Sequence, residues 1–189
     1  IMASILKVDK IRVTGSDSDA ISFDGNGVAT FNNPPVNVGV SNLQMFRVNT
    51  DVAFTTSAAT VTAFTDANNS TRFKRIGTAW TLSSGVFTPS VSGMYEIMLI
   101  ADLRTTAANR YVQFDYKTST DSGGSFNVTH TMYAAIPHLN SGTTYSSYNF
   151  PRYYNITNAT TFRFRLDILA ENTSVVLRGG SSNAESILI

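Results

Sequence analysis

Two segments of this chain alternate apolar and polar residues with a period of two, and this pattern constrains the fold more than any other feature. In residues 162–168, phenylalanine, leucine and isoleucine fall on one face and charged side chains on the other. Residues 110–117 repeat the arrangement. Successive side chains of a β-strand point to opposite faces, so the period indicates half-buried strands. Since no segment sustains a helical period, we predict an all-β chain.

The segment 95–103 differs because it is apolar on both faces. One face carries aromatic and aliphatic residues, and Met98 and Ile100 make much of the opposite face apolar as well. An antiparallel sandwich usually leaves one face of each sheet in water. We therefore expect neighbouring subunits to cover the second face. Met98 and Ile100 are predicted subunit-interface residues, together with His130 and Met132 from a later strand.

The composition argues against several classes of protein. Charged residues make up 14% and the net charge is +1, which gives no electrostatic reason to expect a nucleic-acid partner. There is no cysteine, so disulfides and thiolate metal sites are excluded. No window approaches the roughly 18 apolar residues of a membrane span, and we expect no membrane insertion.

The first 40 residues read differently from the rest. An Asp-Gly-Asn-Gly turn at residues 24–27 lies between two short apolar-rich segments, which is a strong signal for a tight β-hairpin. An isolated hairpin is marginal in water, so copies from other chains or another protein should stabilise it. Pro34 and Pro35 mark a linker. We divide the chain into an N-terminal β segment (1–33), a linker (34–44) and a head (45–189).

Residues 85–97 read Gly-Val-Phe-Thr-Pro-Ser-Val-Ser-Gly-Met-Tyr-Glu-Ile. This stretch resembles the signature of the C1q family, in which an aromatic residue, a proline, a glycine and an aromatic residue lead into an apolar strand. Residues 73–80, 111–116 and 181–189 resemble flanking pieces of the family, although its closing Phe-Ser-Gly-Phe is absent. The resemblance covers residues 45–189. It implies an antiparallel C1q/TNF-like jelly roll that forms a homotrimer, binds proteins or glycans and has no catalytic centre.

The N-terminal residues have a separate likeness. The stretch Ala-Ser-Ile-Leu-Lys-Val-Asp-Lys-Ile and the later Asp-Gly-Asn-Gly-Val-Ala-Thr-Phe resemble the start of fibre proteins of marine bacteriophages, especially those that infect cyanobacteria. The resemblance implies that residues 3–31 attach the chain to the particle while the jelly roll projects outward. The expected attachment residues are Ile5, Val8, Ile11, Val13, Ile21, Phe23 and Phe31. We expect synthesis in the host cytoplasm without a signal peptide, followed by display on the virion surface.

The aromatic-rich stretch 145–154 is the candidate recognition surface. Tyrosine and arginine provide large contacts at low entropic cost, and aromatic rings stack on sugar faces. The candidate receptor or glycan residues are Tyr145, Tyr148, Arg152, Tyr153 and Tyr154. Subunit packing or a core position is the alternative interpretation of the same residues.

Catalytic and metal-binding patterns are weak. His130 and His138 are the two histidines, too few for a metal cage, and the acidic turns at 15–19 and 24–26 lack the ligand spacing of a calcium loop. Glu96 alternates with core residues, which favours a buried structural carboxylate over a general acid. We predict no catalytic residue, no metal and no cofactor.

These observations favour a non-enzymatic bacteriophage virion protein, a trimeric fibre or spike that attaches to the host surface. The expected partners are sister chains, other virion proteins through the N-terminal segment, and a host glycan or protein. The alternative is a capsid decoration protein that coats or stabilises the shell. An enzyme such as a glycan depolymerase is a third and weaker hypothesis.

Overall fold

The computed structural model describes residues 10–12, 19–23, 29–31, 42–67, 76–77, 80–107, 109–136, 142–180 and 186–188. The chain forms two compact units, Ile1–Ser41 and Asn42–Ile189. Every helix or strand assigned in the described part of the chain is a β-strand, as the two-residue period predicted. Within these residues no helix is long and apolar enough to span a membrane.

The first unit contains a three-stranded antiparallel sheet. Its strands are β1 (Lys10–Arg12), β2 (Asp19–Phe23) and β3 (Ala29–Phe31), in that spatial order. In the β2–β3 pair, Ile21 lies opposite Phe31 and Phe23 lies opposite Ala29. The Asp-Gly-Asn-Gly turn predicted between them lies outside the described residues.

The second unit consists of short and long strands in two antiparallel sheets. In chain order they are β4 (Phe46–Val48), β5 (Val52–Ala53), β6 (Ala59–Thr60), β7 (Phe64–Asp66), β8 (Trp80–Ser83), β9 (Val86–Pro89), β10 (Gly93–Thr105), β11 (Asn109–Ser119), β12 (Asn127–Ile136), β13 (Thr144–Ile156), β14 (Arg163–Ala170), β15 (Val175–Leu177) and β16 (Ile187–Leu188).

The first sheet is built around β10. Strand β13 pairs with β10 along its whole length, while β15 and β16 pair with β10 on its other edge. Strand β5 continues the sheet beyond β15, and β4 and β7 continue it beyond β16. The second sheet has the order β12-β11-β14-β9-β8, with β6 also paired to β14. Among the described strands, β12 and β13 each have one partner, so both are edge strands.

The inward faces of the two sheets form one aromatic and aliphatic core. Phe87, the first aromatic residue of the C1q-like stretch, is buried. Its ring centroid lies 4.9 Å from that of Phe46, 5.5 Å from Phe64 and 5.8 Å from Phe164. The alternation predicted for residues 162–168 is confirmed in β14, where Phe164 contributes to this cluster.

The turn between β8 and β9 requires its glycine. Ser84 and Gly85 both have positive φ angles, 49° and 77°, as in the type I′ turns that match the twist of a hairpin. A Cβ atom on Gly85 would lie 2.5 Å from the carbonyl oxygen of Val61. Both the backbone conformation and the close approach of Val61 therefore exclude a side chain here.

A buried tyrosine of the second sheet ties two strands of the first sheet together. Leu99 of β10 and Phe150 of β13 lie opposite each other. The backbone N–H of Leu99 donates to Tyr116 Oη at 2.9 Å, and Tyr116 Oη donates to the carbonyl of Phe150 at 2.8 Å. The hydroxyl therefore bridges the two strands. Burial raises the pKa of Tyr116 well above its ordinary value, so the neutral form is favoured.

Candidate functional site

The outward face of the first sheet is apolar in its centre. Met98 and Ile100 both point to this face and are half-buried. Their cross-strand neighbours on β13 are Pro151 and Asn149, and Ile187 of β16 lies opposite Ile100 on the other side. Met94, two residues before Glu96 on the same face of β10, is 72% exposed. We call Met94, Met98, Ile100, Pro151 and Ile187 the apolar patch.

Polar residues border the apolar patch at the far end of β10. Arg178 Nη1 lies 2.9 Å from Asp102 Oδ2, and Arg104 Nη2 lies 2.8 Å from Asp51 Oδ2. The Arg178 guanidinium also lies 4.9 Å from the centre of the Tyr145 ring. The charges at this border are therefore paired within one chain.

Glu96 lies within the apolar patch, between Met94 and Met98 on the outward face of β10. It is exposed and lies opposite Tyr153. The charge of Glu96 and its hydrogen bond raise the pKa of the Tyr153 hydroxyl. Glu96 therefore contacts a tyrosine hydroxyl at the surface. The buried, structural position predicted for this carboxylate is wrong.

The aromatic residues predicted for recognition fall on two sides of β13. Tyr145 and Tyr153 are exposed and share the face of the apolar patch. Tyr148, Arg152 and Tyr154 alternate with them and point inward. Tyr148 Oη donates to the carbonyl of Ala135 at 2.5 Å, and burial raises the pKa of Tyr154. The five residues therefore form no single surface.

The four residues predicted for the subunit interface are also separated. Met98 and Ile100 lie on the outward face, whereas His130 and Met132 lie on the inward side of β12. Met132 is 4% exposed within one chain, so its burial is explained by the core. The His130 ring packs against Tyr154 at 5.6 Å. Desolvation, followed by the charge of Arg152, lowers the pKa of His130.

The edge strands β12 and β13 border the gap between the two sheets and contact each other through Tyr148 and Ala135. His130, Tyr148, Phe150 and Arg152 point toward this gap but are only half-buried. The rings of Tyr148 and Phe150 stack with an interplanar angle of 9°. We call these four residues the open edge, a second and chemically different surface from the apolar patch.

The outward face of the second sheet carries two buried carboxylates. Asp115 and Asp167 lie opposite each other on β11 and β14 and are 5% and 3% exposed. Asp167 contacts Lys117 Nζ at 2.7 Å and accepts a hydrogen bond from Thr60 Oγ1 at 2.7 Å. Burial alone would raise the pKa of Asp167. The hydrogen bonds from Lys117 and Thr60 and the charge of Arg165 outweigh burial and hold that pKa below its ordinary value.

Asp115 is held by neutral donors. Gln113 Nε2 lies 2.8 and 2.9 Å from its two carboxylate oxygens, and Thr131 Oγ1 donates to Oδ1 at 2.7 Å. Beside this group the exposed rings of Tyr111 and Tyr133 meet edge to face, with centroids 6.0 Å apart. The sequence alone did not indicate this pair. The alternation of residues 110–117 placed Tyr111 on the outward face, but its contact with Tyr133 depends on the β11–β12 register.

The predicted attachment residues belong to the first unit. Ile5, Val8 and Val13 lie outside the described residues. Ile11 lies in β1, Ile21 and Phe23 lie in β2, and Phe31 lies in β3. His138 and the acidic turns at 15–19 and 24–26 also lie outside the described residues, except that Asp19 is the first residue of β2. The described side chains contain no group of three or more His, Cys, Asp or Glu that could hold a metal ion.

No family model matches the chain, and no curated protein matches its sequence. Among solved structures, Eiger TNF from S. frugiperda matches with a TM-score of 0.52 at 10% identity, covering 77% of this chain and 88% of that one. Murine APRIL at pH 5.0 matches with a TM-score of 0.45 at 9% identity, covering 77% and 95%. The PRD1 vertex protein P5 matches with a TM-score of 0.44 at 13% identity, covering 79% and 96%.

The similarity to Eiger TNF shows the fold. The second unit is a TNF-like jelly roll of antiparallel strands, as the C1q-like stretch implied. The other two matches have TM-scores below 0.5 and add nothing to this conclusion. Function therefore has to be argued from the surfaces of the jelly roll.

Proposed function

We propose that this chain is a non-enzymatic bacteriophage virion protein, a homotrimeric fibre or spike that attaches the particle to the host surface. The observation that carries the proposal is the apolar patch on the outward face of the first sheet. Met94, Met98 and Ile100 project from β10, away from the core of their own chain. Burial of such side chains drives association, at about 25 cal/mol per Å² of apolar surface.

The assembly buries two different surfaces. The apolar patch and the open edge lie on opposite sides of β13, and they differ in composition, since the open edge carries Arg152 and His130. A two-fold dimer buries the same patch on both subunits, whereas contact between two different patches is heterologous and can close into a ring. A ring of three is the arrangement that the C1q/TNF-like resemblance implies.

Charge favours the same contact. Glu96 lies within the apolar patch, between Met94 and Met98 and away from the paired arginines. Arg152 lies half-buried in the open edge. When the open edge of one subunit packs on the apolar patch of the next, Arg152 and Glu96 of different chains are complementary in charge.

The placement on a virion rests on the N-terminal segment. Residues 3–31 resemble the start of marine bacteriophage fibre proteins, and in the proposed arrangement the three-stranded sheet β1–β3 packs against copies of itself or another virion protein. In the proposed arrangement residues 1–33 form the hairpin appendage that binds other virion proteins. Residues 34–44 link it to the jelly-roll head at 45–189, which contacts the host.

Cryo-electron microscopy of the virion that carries the chain tests this proposal. We expect a three-fold head at the tip of a tail fibre or spike, with the N-terminal segment at the particle end. Heads distributed over the faces of the capsid would contradict attachment and favour the decoration role. A second measurement is binding of the labelled 189-residue chain to host cells, which a protein limited to capsid decoration does not require.

A further inference from the structure

In the proposed assembly sister chains cover strand β13, which is then not available for host recognition. Tyr145 and Tyr153 share the outward face with Met98, so sister chains that cover the apolar patch also reach these two tyrosines. Tyr148, Arg152 and Tyr154 point to the core or the open edge. The residues first predicted for recognition are therefore used within the trimer, and the attachment surface has to lie elsewhere.

The outward face of the second sheet lies on the opposite side of the sandwich. Tyr133 projects from β12 on the side away from Met132 and is 62% exposed. Tyr111 meets its ring at an angle of 80°, which fixes the orientation of the pair. An exposed aromatic ring held in a fixed orientation on the face of a sheet is suited to stacking on the apolar face of a sugar ring.

The polar groups beside Tyr133 are held in place from below. Gln113 lies directly opposite Tyr133, and Thr131 follows two residues away on the same face of β12. Both side chains are anchored on the buried carboxylate of Asp115. Among the described residues, the Gln113 amide makes its side-chain hydrogen bonds through Nε2, which leaves Oε1 to accept one from a ligand hydroxyl.

The charges on this face favour a neutral ligand. Asp167 is paired with Lys117 and Arg165, and Asp115 is satisfied by neutral donors. The third described cation of this face, Arg163, donates to the carbonyls of Thr160 and Phe162, so the chain itself already engages these cations. Hydroxyl groups of a neutral sugar match the amide and hydroxyl groups of Gln113 and Thr131.

We infer that Tyr111, Tyr133, Gln113 and Thr131 form a binding site for a neutral hexose-containing glycan on the outward face of the second sheet. The inference deepens the proposed function and rests on it, because it takes β13 to be occupied by sister chains. In this site Tyr133 stacks on the sugar ring, Tyr111 holds Tyr133 in position, and Gln113 and Thr131 bind the hydroxyl groups.

A glycan array tests the inference with the 189-residue chain. The array carries neutral oligosaccharides of glucose, galactose, mannose and N-acetylglucosamine, and sialylated and sulfated oligosaccharides beside them. We expect binding to a neutral member, and its affinity is then measured by titration calorimetry. Tyr133→Ala should weaken binding about tenfold or more, as truncation of an aromatic anchor does. Gln113→Ala should weaken it as well.

Val128→Ala is the matched control, because it shortens an exposed side chain of the same strand, β12, that belongs neither to the proposed site nor to the surface covered by sister chains. It should leave glycan affinity unchanged. The inference is overturned if only acidic glycans or none bind at millimolar concentration, or if Tyr133→Ala binds as tightly as the unmodified protein. If binding depends on Tyr153 and not on Tyr133, the chain still attaches to glycans and only the location fails. If the protein binds no host cell at all, the proposed attachment function is itself wrong.

Discussion

Replacing Tyr116 by phenylalanine tests how the two sheets are joined. The change deletes one buried oxygen atom that serves the Leu99 N–H and the Phe150 carbonyl. A buried backbone group that loses its partner costs about 1–3 kcal/mol, and partial closure of β10 on β13 recovers part of that. We expect a loss of about 3 kcal/mol in the free energy of unfolding, which corresponds to a decrease of about 6–12 °C in Tm for a chain of this size.

The assay is urea denaturation at matched protein concentration, since the stability of an oligomer depends on concentration. Tyr111→Phe is the control, because Tyr111 is exposed, and a surface change of this kind alters stability by about 0.5 kcal/mol or less. A Tyr116→Phe protein as stable as the control would refute the bridging role of the hydroxyl.

The pH dependence provides an independent check on the same residue. Burial raises the pKa of Tyr116 in the folded chain, while the unfolded value is about 10. The raised pKa therefore contributes stability that is fully present below about pH 10 and is lost as the pH rises through the folded pKa. The difference between the unmodified protein and Tyr116→Phe should shrink above pH 10. A difference that stayed constant from pH 7 to pH 11 would contradict the assignment.

Three further predictions concern other parts of the jelly roll. Asp167→Asn should lower the free energy of unfolding by about 2 kcal/mol at pH 7, measured by urea denaturation. This loss is smaller than for a fully buried ion pair, because the cationic partners of Asp167 reach water. Since the folded pKa of Asp167 is lowered, this difference should vanish as the pH falls through that value, and a difference that persisted in acid would argue against an electrostatic origin. Gly85→Ala should cost more than 1 kcal/mol, because its positive φ and the Val61 carbonyl leave no room for a Cβ; an unchanged Tm would show that the turn relaxes. Met98→Asp should dissociate the assembly in light scattering, whereas Val86→Asp, on the outward face of the other sheet, should leave it intact; equal behaviour of both variants would contradict the interface.

The long strands were predictable because their signal is local. The alternation in residues 110–117 and 162–168 reads directly as one buried and one outward face, and β11 and β14 contain these segments. The apolar residues on both faces of 95–103 likewise indicated a strand, and β10 contains this segment. Strands of two residues, such as β5 and β6, are too short to show a period and exist only because longer strands pair with them.

The candidate sites were less predictable. The face to which a side chain points, and the register in which two strands pair, depend on residues that are distant in sequence. Residues 145–154 carry aromatic rings on both faces of the strand, so alternation alone does not separate the outward Tyr145 and Tyr153 from the inward Tyr148. The Tyr111–Tyr133 pair depends on a register that shifts between Asn109 and Val112. Burial of Asp167 on an outward face follows from its pairing with Thr60 of β6, which is distant in sequence.

The central claim is that sister chains cover the apolar patch, and the mass of the 189-residue chain in solution tests it most directly. One chain has a mass of 20.5 kDa, so a trimer measured by multi-angle light scattering should have about three times that mass. The species should persist on dilution to micromolar concentration. A stable species of 20.5 kDa at that concentration would contradict the account.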